Sequence, residues 1–227
     1  MYTLYIANKV YSSWSLRPWI LMRELGIPFE EKLVRFSGPN NWETFRTFSP
    51  AGKVPCLHDG DAIVWDSMGI TEFVADSHPY VWPADKYARA WARCAAAEMH
   101  SGFTALRNTC PMHVALRIRL NEITPELQKD INRLNELWTE GLNRFGGPFL
   151  AGDKFTAVDA FFAPVVFRIQ SYHVPVNEIA QTYVKHILGL AGMQEWQAAA
   201  LKETERDASH EEESKAAGTL LEDKRHP

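Results

Sequence analysis

The sequence predicts an α/β domain of order β-α-β-α-β-β-α, followed by an all-α helical domain. Three observations carry that prediction. Over the first 80 residues, short alternating apolar stretches are interleaved with helical segments and turn residues. His78-Pro79 and Trp82-Pro83 then break the chain into a linker. Beyond residue 85, apolar residues recur at helical spacing, as in Trp91, Ala95, Met99, Phe103 and Leu106. The expected units are residues 1–80, residues 86–205, and a charged, flexible tail at 206–227 that is poor in aromatics.

The elements follow in order. Residues 2–7 alternate as a strand, and residues 16–25 read as a helix stopped by Gly26 and Pro28. Residues 29–36 form a second strand, and 38–48 a loop with room for a short helix. Residues 54–58 and 62–65 flank Asp59-Gly60, a hairpin turn. Asp66-Ser67 opens a helix to Ser77. A long helix spans 85–108. Thr124-Pro125 places an N-cap before a proline at the first helical position, with the helix running to Phe145 and stopped by Gly146-Gly147-Pro148. Thr156 and Asp159 form a capping box ahead of a helix at 161–170. Two further helices are expected at 176–188 and 193–202.

With 227 residues and 46% hydrophobic content, the chain can build two packed cores. A net charge of −4 argues against a nucleic-acid partner. No apolar run is long enough to span a membrane. Met1-Tyr2-Thr3-Leu4 leads directly into a strand, so no secretory signal is expected. Cys56, Cys94 and Cys110 are odd in number and lack CxxC spacing, which fits free thiols and a cytoplasmic location. Neither they nor the eight histidines are spaced as metal ligands, so no metal is expected.

The richest chemistry lies in Tyr11-Ser12-Ser13-Trp14-Ser15-Leu16-Arg17-Pro18, between a strand and a helix. Three serines crowd one helix N-terminus, where amides lack intrahelical partners and the dipole end is positive. Pro18 has no N–H and belongs near the helix start, so free donors are expected from Ser13 to Arg17. A hydroxyl there can hydrogen-bond an anion, including a thiolate. Simple helix capping is the competing reading.

These features resemble the cytosolic glutathione transferases, over roughly residues 1 to 205. Ser12-Ser13-Trp14-Ser15-Leu16-Arg17 is similar to the Ser-Ser-Cys-x-x-Arg motif of the zeta class, which includes maleylacetoacetate isomerases. It departs at Trp14, where that class has cysteine, and this points to a related bacterial-type or fungal-type branch. Lys53-Val54-Pro55 looks like the family's segment before a cis-proline, and Asp66-Ser67 like its acidic-Ser pair.

The resemblance implies a thioredoxin-like N-terminal domain and an all-helical C-terminal one. It implies glutathione as co-substrate, a small electrophile as partner, and a homodimer serving detoxification. Ser12 falls on the catalytic serine, with Ser13 the alternative and Tyr11 a third candidate. Val54 would pair its backbone with the glutathione cysteinyl unit beside Pro55, Lys53 would reach the glycyl carboxylate, Ser67 would hold the γ-glutamyl carboxylate, and Asp66 would position the ammonium. His100, Phe103, Arg107 and Met112 fall near the family's second-substrate pocket, with Arg107 placed to hold a carboxylate and Phe103 suited to core packing. Arg17 suits a structural role, and Cys56 points to the core. Activity follows from thiol ionisation. A free thiol has a pKa near ~8.5, and lowering it by about two units needs roughly 2.7 kcal/mol. The alternatives are a glutathione-dependent cis–trans isomerase acting on an unsaturated diacid, and a non-catalytic protein that keeps the fold.

Overall fold

The computed structural model describes residues 1–38 and 40–225. Pro39, within the expected loop at 38–48, and His226 and Pro227, at the end of the expected tail, lie outside the described residues.

The N-terminal part runs β1 (Tyr2–Ile6), α1 (Ser13–Glu24), β2 (Phe29–Leu33), α2 (Trp42–Arg46), β3 (Cys56–Asp59), β4 (Ala62–Val64) and α3 (Ser67–Ser77). This is the β-α-β-α-β-β-α order. The sheet order is β2-β1-β3-β4. β1 and β2 are parallel, and the crossover between them is α1. Parallel neighbours need such a crossover, whereas β3 and β4 form an antiparallel hairpin. Gly60 adopts φ +58 in that turn. α1 begins three residues earlier than the sequence suggests, so Pro18 lies inside it, one turn from the start.

A 3-10 turn (Pro79–Val81) leads into α4 (Lys86–Ser101) and α5 (Thr104–Thr109). The single helix expected at 85–108 is therefore two. Gly102 closes α4 in extended backbone, and Phe103 takes a left-handed conformation at φ 53. β5 (Leu116–Leu120) precedes α6 (Pro125–Phe145), α7 (Ala157–Tyr172), α8 (Glu178–Leu188) and α9 (Ala191–Leu201). Thr124 caps α6 through its side chain, and Thr156 with Asp159 forms the capping box of α7. α7 is buried along nearly its whole length, packed against α1, α4, α8 and β5. It joins the helical part to the sheet domain.

Over its described residues, 206–225, the charged segment expected to be a flexible tail is largely ordered. It forms α10 (Ala208–Ala216) and β6 (Gly218–Asp223), and β6 pairs antiparallel with β5. Glu211 and Ser214 are buried. Among the described residues, no helix is long and apolar enough to cross a membrane.

Candidate functional site

The site starts where β1 hands the chain to α1. Ser12 N–H donates to Asn8 O at 2.9 Å and Ser13 N–H to Tyr11 O at 2.8 Å, which fixes the turn. Ser12 occupies the N-cap position, yet its side chain makes no capping hydrogen bond. Its hydroxyl donates instead to Ser15 Oγ at 2.7 Å, and Ser15 Oγ also accepts from Ala7 N at 3.2 Å. Capping therefore does not account for the Ser12 hydroxyl. Among the described residues, the Trp14 and Ser15 amides at this helix start have no hydrogen-bond acceptor.

The helix start opens into a cavity of about 400 Å³, lined in part by Tyr11, Ser12, Ser13, Trp14, Arg107 and Arg168. A second cavity of about 230 Å³ adjoins it across Trp14, Lys53 and Val54, and reaches Pro55, Trp65 and Asp66. The Val54–Pro55 bond is cis, as the resemblance implied. Among the described residues, Val54 N–H and C=O make no hydrogen bond, so both remain available beside Pro55.

Behind Trp14 lies a layer of cationic and polar groups. The Arg17 guanidinium sits 4.1 Å from the Trp14 ring centroid, and that of Arg107 4.8 Å. Arg17 also donates to Ser67 Oγ and meets His100 Nδ1, each at 3.4 Å. Burial, then the neighbouring Arg107 and Arg168 charges, lower the Arg17 pKa to about 9. His100 Nε2 reaches Asp66 Oδ2 at 3.3 Å. Burial depresses the His100 pKa, and Asp66 opposes that shift. Asp66 also caps α3, accepting from Met68 N at 2.8 Å and Gly69 N at 3.3 Å.

Matches to known proteins agree with this architecture. A model of the glutathione S-transferase N-terminal domain matches residues 11–77, and one of the C-terminal domain matches residues 85–200. The chain belongs to the glutathione S-transferase family. It is 28% identical to glutathione S-transferase Z2 of Arabidopsis thaliana over 191 residues, covering 77% of this chain and 84% of that one. It is 25% identical to a maleylacetoacetate isomerase of Rattus norvegicus over 179 residues, covering 77% and 81%. A Burkholderia glutathione transferase homolog, solved with bound glutathione, shares the fold at TM-score 0.67 and 21% identity, over 88% of this chain and 97% of that one.

Within this family member, the residues singled out from sequence do not all meet. Ser12, Ser13, Tyr11, Lys53, Val54, Arg107 and Met112 line the larger cavity, while Pro55 and Asp66 line the smaller one. Ser67 is fully buried, and its hydroxyl oxygen accepts from Arg17 Nη1 at 3.4 Å. Phe103 is core, edge-on to Phe162 at 6.3 Å, because the left-handed kink after α4 turns the chain. His100 lies behind Trp14, edge-on at 5.2 Å, and is absent from both linings. His100, Phe103 and Arg107 cannot share one helical face, since α4 and α5 are separate.

Tyr11 is spoken for as well. Its hydroxyl donates to Glu211 Oε1 at 2.7 Å, and burial followed by that carboxylate pushes its pKa well up. A phenol held this way is a poor donor to a thiolate. Arg168, His210 and Glu213 in the cavity wall were missed from sequence. Arg168 had left a signal: it is the sole cation in the apolar run Ala157–Tyr172. His210 and Glu213 had none, since they arrive on the segment expected to be loose.

Proposed function

We propose that the chain is a glutathione transferase that binds reduced glutathione across the two adjoining cavities and presents its thiolate to a small electrophile. The observation that carries this reading is the α1 N-terminus. Ser12, Ser13 and Trp14, whose amide is unpaired, line a cavity whose wall also holds Arg107 and Arg168. Such a site favours an anion. One charge-assisted hydrogen bond together with the helix dipole is of the right order to lower a thiol pKa by about two units. Val54 beside Pro55 offers the peptide-like pairing that extended ligands use. Lys53, exposed between the cavities, suits the glycyl carboxylate. Asp66, whose side chain is half-exposed at the smaller cavity, suits the ammonium. A homodimer in the cytoplasm belongs to the same reading and rests on the family.

A second reading is glutathione-dependent isomerisation of an unsaturated diacid. It is favoured by the likeness to the rat maleylacetoacetate isomerase and by the Arg107 guanidinium in the cavity wall. The two differ in whether glutathione is consumed. Incubation with reduced glutathione and a panel of electrophiles, followed by thiol counting and mass analysis, tests the proposal. Stoichiometric thiol loss with thioether formation is expected. Turnover of an unsaturated diacid with no thiol loss would replace transfer by isomerisation, and inertness towards every electrophile would contradict the transferase reading.

A further inference from the structure

Three serines sit at the start of α1, and the thiol-activating role has so far been open between Ser12 and Ser13. The two hydroxyls have different surroundings. Ser12 is only 6% exposed, and its proton is directed inward to Ser15 Oγ. Ser13 is half-buried on the cavity wall. Its oxygen accepts from Arg168 Nη2 at 3.3 Å, and among the described residues its own proton has no acceptor.

Arg168 is held for this contact. It is 5% exposed, rooted in the buried helix α7, and its Nη1 donates to the Arg107 carbonyl at 3.1 Å and to the Cys110 carbonyl. Its Nε has no partner. Among the described residues no carboxylate forms an ion pair with it, and Glu213, the acid in the cavity lining, is no exception. Burial lowers its pKa to about 10, which leaves it charged at neutral pH. A buried cation without a counter-charge is costly, and an anion arriving nearby relieves that cost. Chains of hydrogen bonds that start from a cation polarise each successive donor.

We propose that Arg168 is a positioning residue that fixes and polarises the Ser13 hydroxyl, making Ser13 rather than Ser12 the donor to the glutathione thiolate. On binding, the thiol proton leaves to solvent, and Ser13 keeps its own proton in the hydrogen bond to sulfur. This rests on the glutathione reading above.

The test is an ultraviolet titration of the thiolate in the glutathione complex of the full chain. Wild type is compared with Ser12→Ala, Ser13→Ala, Arg168→Met and Arg168→Lys. In wild type the bound thiol should titrate about two units below the free value of ~8.5. Ser13→Ala and Arg168→Met should each raise it by about one unit, a tenfold change, and the double variant by no more than the larger single effect. Ser12→Ala should move it by less than half as much. Arg168→Lys, which keeps the charge, should recover at least half of the Arg168→Met shift. A larger effect of Ser12→Ala than of Ser13→Ala overturns the proposal. So does an Arg168→Met protein that binds glutathione with an unshifted thiol, because a merely structural arginine would behave that way. Should Arg168→Met fail to fold, Ser13→Ala and Arg168→Lys decide. Failure of the wild type itself to lower the thiol pKa overturns the underlying glutathione reading instead.

Discussion

Asp159 is fully buried, and every hydrogen bond its carboxyl group makes here is one it accepts. Leu150 N and Tyr183 OH donate to Oδ1, each at 2.9 Å, and Thr156 N donates to Oδ2 at 3.0 Å. Burial raises its pKa to about 6 despite those donors. The fold therefore holds the proton more tightly than the unfolded chain, whose carboxyl titrates near ~3.9. The stability this group contributes is complete below pH ~3.9 and is lost as pH rises through about 6. Asp159→Asn should abolish that slope. It should also destabilise the fold by about 1–3 kcal/mol, because an amide N–H₂ would face a buried donor. Urea unfolding from pH 4 to 7 checks both. The capping box was legible because Thr156 and Asp159 are three residues apart. The burial of Ser67 beneath Arg17 was not legible, since those partners are 50 residues apart in sequence.

At the scale of elements, α10 and β6 decide the shape of the cleft. Glu211 is their anchor: Tyr11 OH, His113 Nε2 at 3.0 Å and the Arg225 guanidinium all donate to it. Leu116 N donates to His113 Nδ1, so the neutral ring carries its proton on Nε2 and points it at Glu211. Burial would raise the Glu211 pKa, but the hydrogen bonds from His113, Arg225 and Tyr11 outweigh it and hold the pKa well down. Glu211 thus contributes stability above the ordinary carboxylate value of about 4.3, and this is lost as pH falls below it. Glu211→Ala should cost about 3–5 kcal/mol at neutral pH, since it breaks a buried ion pair, leaves the Tyr11 and His113 donors without their acceptor, and leaves Arg225 with Asp223 alone. It should also flatten the acid limb of the stability profile and loosen the wall that carries His210 and Glu213, raising KM for bulky electrophiles. Thermal melts across pH and steady-state kinetics measure these effects. β5 and β6 escaped notice because neither is convincing alone. Leu116–Leu120 alternates apolar and basic residues over only five positions, and its partner strand lies about a hundred residues away. The hairpin β3–β4, closed by Asp59-Gly60, needed no distant partner and was readable directly.

Over the whole molecule, the site is a product of two domains meeting. α1 supplies the serines, and α7 of the helical domain supplies Arg168 and packs Phe161 against Arg17, whose guanidinium lies 4.9 Å from that ring centroid. Sequence periodicity separated the two domains, but which face of α7 meets α1 depends on tertiary packing. The lone positive charge of Arg168 in its apolar helix was legible, but its place at the site was not. Gly141 on α6 lets Trp91 and the Leu150 carbonyl approach closely within the helical domain. A Cβ there would lie 2.4 Å from Trp91 and 2.6 Å from the Leu150 carbonyl, so Gly141→Ala should destabilise the fold by about 1–3 kcal/mol without altering the thiol pKa of bound glutathione.

The most direct test of the central claim is calorimetric titration of the folded chain with reduced glutathione up to millimolar concentration. Saturable binding is expected, weakened by substitution of Lys53 and accompanied by proton release at neutral pH as the thiol ionises. Folded protein that binds no glutathione over that range would contradict the claim.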